Sequence, residues 1–391
     1  MEKQDSRPMV IMNDLPSQDM VEEILSGLPA KSLVRYMSVC KPWRTMIPDD
    51  PAFKALYSRK ASARRCSYLI RTWDSSSRVR FSLLHNGTPL MVEKPVFNPF
   101  ALRERDRFRI VGSHEGLVCI LVLLDLDDFV FRKPSIYFWN PSINKVKPLK
   151  RFMYGGIDDV FGFGFSKEKN EHRIVRLIDY FCNRRWSRRR GVYVYSSRPD
   201  SWKKIDMVSS GLIRTEFCCI EQPTILDGAP HWLACKGNDP LFVGSSYASM
   251  IISFDFDTER FGYIAIPPGA VGRVGSSYDY HNAKVLGTLK GSLAFVYSIR
   301  NQELGFTEPE VWVLREYGVE SSWTKVFSFQ ITMVVGLQGL GINGEVFLTS
   351  GEKGKKLIEV SDRGMVSRVW QLTSIVGELV PYTERLRKDT N

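Results

Sequence analysis

Long apolar runs are scarce in this chain of 391 residues. The longest strictly apolar run extends from Leu117 to Leu124. It is too short to cross a bilayer, which takes roughly 20 residues as a helix. The first fifteen residues also contain no apolar stretch that could serve as a secretory signal. We therefore expect a protein without a membrane anchor that works inside the cell, in the nucleus, the cytoplasm or both.

Patterns typical of metal sites, disulfide frameworks and catalytic centres are missing as well. The seven cysteines include no CxxC spacing, and the adjacent Cys218 and Cys219 would point to opposite faces of a strand. The five histidines are isolated from each other, and neither HExxH nor GxSxG occurs. We interpret the cysteines as small buried apolar groups. We expect no metal, no cofactor and no catalytic residue.

Basic residues are in excess, but unevenly so. The net charge is +11, and residues 1–50 carry six Lys/Arg against eight Asp/Glu, so the remaining residues hold the whole positive excess. The densest cluster consists of five arginines around one tryptophan, which we regard as candidate contacts for an acidic substrate or partner: Arg184, Arg185, Trp186, Arg188, Arg189 and Arg190. The alternative is a solvated loop between Tyr180 and Val192. Nucleic-acid binding is disfavoured, because one loop without a recognised fold is thin support for it.

The first fifty residues have the periodicity of short amphipathic helices. Leu15-Pro16 is predicted to open the first helix, because proline suits the first helical turn. Gly27 and Pro29 end this helix, and further helices are predicted from about Ala30 and from Pro42. The apolar arc is wider than one core stripe requires, and about 45 residues is near the lower limit for independent folding. Either a partner protein or the later part of the same chain is expected to cover this surplus.

From about residue 67 the pattern changes to the period-two alternation of strands. Polar turns recur every 46 to 60 residues, at Asn140, Ser196, Asp255, Arg315 and Ser361. Each unit has room for four strands, as in a propeller blade. Five units are visible, and residues 67–111 could supply a sixth by pairing with the C-terminal strand. The predicted fold class is α+β multidomain, with a small all-α unit of three helices followed by an all-β propeller-like domain of about six blades.

One segment near the C-terminal end of the strand-rich region matches a nucleotide-binding fingerprint. Residues 339–344 fit GxGxxG, a motif that requires a helix after the glycines to hold the pyrophosphate. Here the sequence continues as Glu345-Val346-Phe347-Leu348, which is typical of a strand. We therefore predict a hairpin turn at this position. Asn86-Gly87 and Asp227-Gly228 are predicted hairpin corners for the same reason.

The helical segment resembles the F-box. The resemblance is carried by Leu15-Pro16, Ile24-Leu25, Leu28-Pro29, Lys31-Ser32-Leu33, and Val39-Cys40-Lys41 with Trp43. It implies docking to the Skp-type adaptor of an SCF complex and, through that adaptor, to a cullin. The positions that match adaptor contacts in the family are Leu15, Pro16, Ile24, Leu25, Leu28, Pro29 and Leu33. Val39, Cys40 and Trp43 match positions that pack the F-box helices or border the adaptor.

The strand-rich remainder resembles the F-box-associated domain of plant F-box proteins. The motifs that carry this resemblance are residues 114–118, 139–142, 161–165, 231–234, 252–255 and 311–314. In that family the domain recruits the protein to be ubiquitinated. The double glycine of true kelch repeats does not recur here.

The two resemblances together imply a non-catalytic substrate-recognition subunit of an SCF-type ubiquitin ligase. The first alternative is an F-box interaction protein outside the ubiquitin pathway, and the second is a propeller that is itself an enzyme or a sugar-binding domain. The expected division of the chain is a disordered N-terminus at 1–10, the F-box at 11–58, a basic linker at 59–66, the propeller-like domain at 67–375 and a tail at 376–391.

Overall fold

A computed structural model describes most of the chain and divides it into two compact units, one of helices and one of strands. The described residues are 17–63, 67–73, 79–85, 94–96, 107–123, 134–150, 159–182, 187–211, 216–217, 223–235, 250–268, 270, 284–301, 306–332, 334–341, 344–350, 356–361, 365–371 and 375–382. Within these ranges no helix is both long enough and apolar enough to span a membrane.

The helical unit contains α1 (Gln18–Ser26), α2 (Ala30–Tyr36), α3 (Lys41–Asp49) and α4 (Pro51–Ala63). The first three match the predicted helices, although α1 begins after Ser17 and not at Pro16. The Ser17 hydroxyl accepts a hydrogen bond from the backbone N–H of Met20 at 3.3 Å. Serine is a preferred N-cap because its side chain satisfies one of the free N–H groups at the helix start. The core of this unit contains Leu25, Ala30, Leu33, Ile47, Phe53, Tyr57 and Ala61.

The fourth helix was not predicted, and it corrects the expected linker. Residues 59–63 belong to α4. The Asp50 carboxylate caps this helix by accepting the N–H groups of Ala52 at 2.7 Å and Phe53 at 3.0 Å. Lys60 Nζ forms an ion pair with the Glu23 carboxylate at 2.5 Å and so ties α4 to α1. The basic composition suggests a linker, whereas buried residues at positions 53, 57 and 61 fall on one helical face.

The strands form six antiparallel sheets in the described part of the chain, and we call them blades A to F. Blade A contains β1 (Ser67–Trp73), β2 (Val79–His85), β3 (Lys94–Val96) and β26 (Ile375–Tyr382). Blade B contains β4 (Arg107–His114), β5 (Leu117–Leu123), β6 (Pro134–Asn140) and β7 (Lys145–Pro148). Blade C contains β8 (Val160–Ser166), β9 (Glu171–Cys182), β10 (Ser187–Ser196) and β11 (Ser201–Ile205).

The other three blades follow in chain order. Blade D contains β12 (Glu216–Phe217), β13 (Thr224–Leu226), β14 (Ala229–Cys235), β15 (Met250–Asp255) and β16 (Arg260–Ala265). Blade E contains β17 (Lys284–Leu289), β18 (Ser292–Asn301), β19 (Phe306–Leu314), β20 (Trp323–Ser328) and β21 (Ile331–Thr332). Blade F contains β22 (Val334–Leu340), β23 (Val346–Ser350), β24 (Lys356–Val360) and β25 (Val366–Gln371). The small helical unit followed by an all-β propeller confirms the predicted fold class.

The core of the propeller lies between the blades. Strand β5 is packed on both faces, and its sequence is apolar throughout. Leu117, Cys119 and Leu121 pack against blade C, whereas Val118, Ile120 and Val122 pack against blade A. Successive side chains of a strand point to opposite faces, so a strand covered on both faces needs an unbroken apolar run. The longest apolar run of the sequence is therefore a blade strand.

The first and last strands of the propeller close the ring. β26 pairs antiparallel with β1, so that Ser67 lies opposite Tyr382. Tyr68 of β1 meets Phe347 of blade F edge to face, with ring centroids 4.8 Å apart. The predicted sixth blade, completed by the C-terminal strand, is thus confirmed. Residues 376–382 were predicted to form a tail, but they belong to β26. Their pairing with β1 covers an edge that would otherwise be open.

Two predicted hairpin corners can be checked. Asp227 and Gly228 have φ values of 50° and 83° and connect β13 to β14, as the favoured two-residue turn requires. In the GxGxxG segment, β22 pairs antiparallel with β23, and Gly344 has a φ of 102°. A strand and not a helix follows the glycines, so the hairpin prediction is confirmed. Asn86-Gly87 lies outside the described residues.

Candidate functional site

The apolar residues of α1 point in two directions. Leu25 is 3% exposed and belongs to the core, whereas Met20 and Ile24 are 59% and 61% exposed. These two exposed residues are four positions apart and therefore neighbours on one helical face. A helix that served only the core of its own unit would carry polar side chains there. α1 thus has a second apolar face, beyond the one that packs in the core.

Three further apolar side chains are exposed at the second helix and just beyond it. Val34, Tyr36 and Val39 are 39%, 39% and 62% exposed, and the Tyr36 ring lies edge to face with the half-buried Trp43 at a centroid distance of 6.0 Å. We call these three, with Met20 and Ile24, the exposed apolar set. It contains five of the ten large apolar side chains that are exposed in the described part of the chain. Half of the large apolar side chains that are exposed in the described part of the chain therefore lie in the helical unit.

Charged residues accompany the exposed apolar set in the sequence. Lys31, Arg35, Lys41 and Arg44 are all exposed on α2 and α3, and α1 carries the exposed Asp19 and Glu23. Protein interfaces commonly combine an apolar centre with a polar, solvent-accessible rim. The helical unit therefore exposes both apolar and charged side chains.

The structure separates the ten predicted docking residues into groups. Leu15 and Pro16 lie outside the described residues. Ile24, Pro29 and Val39 are exposed, and Leu28, Cys40 and Trp43 are half-buried. Leu25 and Leu33, at 3% and 0% exposure, leave no surface for a partner to touch. We therefore correct their assignment from contact residues to core residues that hold the helices in place.

Sequence reasoning missed three members of the exposed apolar set, namely Met20, Val34 and Tyr36. Met20 falls on the helical stripe with Ile24, but no family position marks it as a contact. The spacing of these two residues was the available signal, since residues four apart share a face. Nothing in the sequence distinguishes Val34 from its buried neighbour Leu33, because both are apolar residues in one short helix.

The arginine cluster falls partly on a strand. Arg184, Arg185 and Trp186 lie outside the described residues. Arg188, Arg189 and Arg190 belong to β10, where their register partners on β9 are Phe181, Tyr180 and Asp179. The alternative of a loop extending to Val192 is therefore wrong for these three residues. The strand that contains Val192 and Val194 continues towards the N-terminus, where residues 187–191 pair with residues 178–182 of β9.

Buried charges in the propeller have structural partners. Arg173 is 2% exposed, and its guanidinium donates hydrogen bonds to Glu259 Oε1 at 2.8 Å, to Ser196 Oγ at 3.2 Å and to the carbonyl of Phe256. These bonds join blade C to the turn after β15 in blade D. Arg176 pairs with Asp159 at 2.5 Å, and both are buried. The Arg173 contacts thus join two blades, whereas the Arg176–Asp159 pair joins β9 to the residue before β8 within blade C.

His231 is a buried histidine of blade D whose pKa is clearly shifted. Its Nδ1 donates to the carbonyl of Ala229 at 3.0 Å, and its Nε2 accepts from the Tyr317 hydroxyl at 2.8 Å. Burial lowers the pKa of His231 to about 4, so the ring is neutral at pH 7. No cluster of side chains suited to hold a metal ion occurs in the parts of the chain that the structure covers.

Comparison with known proteins agrees with this geometry. The profile of the F-box domain matches residues 14–54, which include the exposed apolar set, and the profile of the F-box associated beta propeller domain matches residues 77–388. A solved structure of a GH32 beta-fructofuranosidase from Bombyx mori matches with a TM-score of 0.37 at 10% identity, covering 68% of this chain and 61% of that chain. A likeness that distant carries no argument about function.

Curated relatives come from Arabidopsis thaliana and cover nearly the whole chain. An F-box/kelch-repeat protein is 26% identical over 335 residues, covering 83% of this chain and 81% of its own length. One F-box protein is 28% identical over 355 residues, with coverages of 87% and 84%, and another is 26% identical over 384 residues, with coverages of 91% and 85%. The chain therefore belongs to the family of F-box proteins that carry an F-box associated beta propeller domain.

Proposed function

We propose that this protein is the substrate-recognition subunit of an SCF-type ubiquitin ligase. In this proposal the helical unit docks a Skp-type adaptor, which links it to a cullin, and the propeller binds the protein to be ubiquitinated. The observation that carries the proposal is the exposed apolar set, which lies within the segment that matches the F-box. Such a complex works in the cytoplasm or the nucleus, where the ubiquitin machinery operates.

The exposed apolar set supports docking energetically. Met20, Ile24 and Val39 are each about 60% exposed. Fully burying a side chain of this kind contributes about 1.5 to 3 kcal/mol, so covering the exposed part of each would contribute about 1 to 2 kcal/mol. Binding must also offset the loss of translational and rotational freedom. Further contacts, for which Leu15 and Pro16 are our candidates, would add to this contribution.

The proposed mechanism requires no chemistry from this chain. Holding a target protein near a charged ubiquitin-conjugating enzyme raises the effective concentration of the target lysine, and orientation lowers the entropic barrier to transfer. The buried ion pairs and the neutral His231 are consistent with a scaffold, since each is used within or between blades. The protein would therefore act as a non-catalytic adaptor.

The test is co-purification of the full chain with a Skp-type adaptor and a cullin. We expect both in the complex, and we expect replacement of Leu15 and Pro16 by alanine to weaken adaptor recovery while the propeller stays folded. Failure of the wild-type chain to bind the adaptor would refute the docking assignment. Recovery of the adaptor without a cullin would instead favour an assembly outside the ubiquitin pathway.

A further inference from the structure

The turn that connects β19 to β20 in blade E, residues 315–322, carries two exposed apolar side chains. Tyr317 and Val319 are 56% and 37% exposed. The other hairpin turns of the propeller that the structure describes in full have two to four residues, so this turn is the longest of them. It therefore presents an aromatic and an aliphatic side chain to solvent on a loop that is longer than a strand connection requires.

Hydrogen bonds hold this turn in one conformation. Ser322 Oγ accepts from the backbone N–H of Glu316 at 3.0 Å and donates to the carbonyl of Val319 at 2.7 Å. Glu320 Oε1 accepts from the backbone N–H of Ala265 in blade D at 3.3 Å. The turn is thus fixed both internally and to the neighbouring blade. A surface that is already ordered loses little conformational entropy when it binds a partner.

The Tyr317 ring is anchored in the same way. Its hydroxyl lies 2.8 Å from Nε2 of the buried His231 and 3.4 Å from Oγ of the buried Ser253, both in blade D. The Tyr317 and His231 rings meet edge to face, with centroids 5.7 Å apart. The polar end of the side chain is therefore held, while more than half of the side-chain surface stays open. Rigid, partly exposed tyrosines of this kind are common among the residues that dominate protein interfaces.

Two carboxylates lie beside the Tyr317 ring. Ile251 of β15 packs in the core between blades D and E, and alternate residues share a face, so Ser253 and Asp255 also face blade E. Asp255 is exposed and lies two residues, or about 7 Å, beyond Ser253. Asp227, also exposed, lies in the β13–β14 turn. Burial raises the pKa of Tyr317, a hydrogen bond with Ser253 lowers it, and the charges of Asp227 and Asp255 raise it, which places both carboxylates close to the hydroxyl.

Acidic residues are in excess at this edge of blades D and E. Neither Asp227 nor Asp255 forms an ion pair with another residue that the structure describes. The exposed charged residues of the β13–β14 turn, of the ends of β15 and β16 that meet at their turn, and of residues 315–322 are Asp227, Asp255, Glu316 and Glu320 against Arg260 and Arg315. Acids thus outnumber bases two to one here, in a protein whose net charge is +11. We call Tyr317, Val319, Asp227 and Asp255 the seam surface.

We propose that the seam surface binds a basic side chain of the target protein together with an apolar neighbour of that side chain. This inference rests on the proposed function, because it names the chemistry by which the propeller would recognise its target. The face of the Tyr317 ring attracts a lysine or arginine cation. Asp227 and Asp255 supply charge-assisted hydrogen bonds to the same cation. Val319 offers the apolar neighbour a place to leave water.

A purely structural role for the same residues makes different predictions. In that role Tyr317 only joins blade E to blade D, through its hydroxyl, and the carboxylates are solvated. Tyr317→Phe would then destabilise the fold, and no basic peptide would bind at the seam surface. In our proposal the aromatic ring and the carboxylates bind the peptide, whereas the hydroxyl only positions the ring.

The test uses the purified full chain with its Skp-type adaptor and fluorescence anisotropy at physiological salt. The labelled probes are a peptide of three Arg-Leu-Gly repeats and two versions of it, one with Gln and one with Glu in place of each Arg. We expect the Arg peptide to bind most tightly. Tyr317→Leu should weaken its binding about three- to fivefold, because the cation–π contact is lost. Tyr317→Phe keeps the ring and should stay within about twofold of the wild type.

A second variant removes only charge. Asp227→Asn/Asp255→Asn should weaken binding of the Arg peptide about fivefold or more. Both substitutions suit the fold, because asparagine tolerates the φ of 50° at position 227 and can still accept the backbone N–H of Asp257 from position 255. The matched control, Glu168→Gln/Asp206→Asn, removes two exposed acidic residues of blade C. It should stay within about twofold of the wild type, since distant charges are screened.

The possible outcomes separate the seam surface from the docking assignment. Equal binding of the Arg and Gln peptides, tighter binding of the Glu peptide, or equal losses in the seam and control variants would overturn the proposal. Adaptor recovery is measured on the same samples. If the Arg peptide fails to bind while the adaptor is retained, only the seam proposal falls. If the adaptor is lost while selective peptide binding persists, the seam proposal is supported and the ligase assignment falls.

Discussion

Ile24 and Leu25 are adjacent in the sequence, yet they should respond to mutation in opposite ways. Ile24 is 61% exposed and belongs to the exposed apolar set, whereas Leu25 is 3% exposed and lies in the core of the helical unit. We predict that Ile24→Ala weakens adaptor binding and leaves folding intact. Leu25→Ala is predicted to destabilise the helical unit itself.

The magnitudes follow from these exposures. Complete burial of an isoleucine side chain contributes about 1.5 to 3 kcal/mol, and about three fifths of that contribution is still available to a partner. Ile24→Ala should therefore weaken docking by about 1 to 2 kcal/mol, or roughly 5- to 30-fold in Kd. Its free energy of unfolding should change by less than about 0.5 kcal/mol, because the residue is exposed and alanine is the better helix former. Leu25→Ala should cost about 2 to 5 kcal/mol in unfolding free energy, because it leaves a cavity.

Two measurements on the full chain distinguish these effects. Isothermal titration with a Skp-type adaptor gives the Kd of each variant, and hydrogen exchange of residues 18–63 reports the stability of the helical unit. Ile24→Ala should keep wild-type protection at a raised Kd. Leu25→Ala should lose protection throughout α1–α4. A wild-type Kd for Ile24→Ala would show that this side chain stays in water in the complex. That result would refute the proposal that the exposed apolar set contacts the adaptor.

The remaining predictions concern the propeller. His231 has a pKa of about 4 in the folded protein, against an ordinary value of 6.5. This difference contributes about 3 kcal/mol to the free energy of unfolding above pH 6.5, and the contribution is lost as the pH falls towards 4. His231→Gln should therefore reduce the difference between denaturant unfolding free energies at pH 7 and pH 4; an unchanged difference would contradict this. Arg173→Met should cost about 2 to 4 kcal/mol in thermal or denaturant unfolding, whereas Lys203→Ala, which removes a 69% exposed partner of the same Glu259 carboxylate, should cost less than about 1 kcal/mol. Equal losses would show that burial does not decide the strength of these pairs. Truncation after residue 374 removes β26 and should give aggregated protein in size-exclusion chromatography. An added peptide of residues 375–391 should reverse the aggregation, and a scrambled peptide should not. A monomeric truncated protein would contradict the role of the closing strand.

Much of the propeller could be predicted from local patterns, since each blade repeats the same physical constraint. The alternation around Val192 and Val194 indicates a strand because both faces of a blade are covered, and both residues are buried. The closing strand was predictable from the need to leave no open edge. The extent of pairing in blade C was not predictable from local patterns. β9 and β10 pair with each other from Cys182 and Ser187 to Arg173 and Ser196, whereas β11 pairs only with residues 192–196 of β10.

The exposed apolar set shows a different limit of prediction from sequence. Ile24 and Leu25 are both apolar, and the stripe on α1 is wide enough that either could face the core. α1 packs against α4, and α4 was missed because Arg59 and Lys60 suggested a linker. Without that helix, the direction of the core could not be assigned. Exposure of each residue therefore had to come from the tertiary structure.

The pairing of β1 with β26 has a consequence for how the protein is made. Synthesis proceeds from the N-terminus, and domains tend to fold in that order. The helical unit can thus form while the rest of the chain is still emerging, but blade A must wait for β26, which is translated after the strands of all the other blades. A ribosome that stops early would release a product with its helices complete and its ring unsealed. Exposed strand edges attract chaperones and proteases, so such a product would be a target for removal.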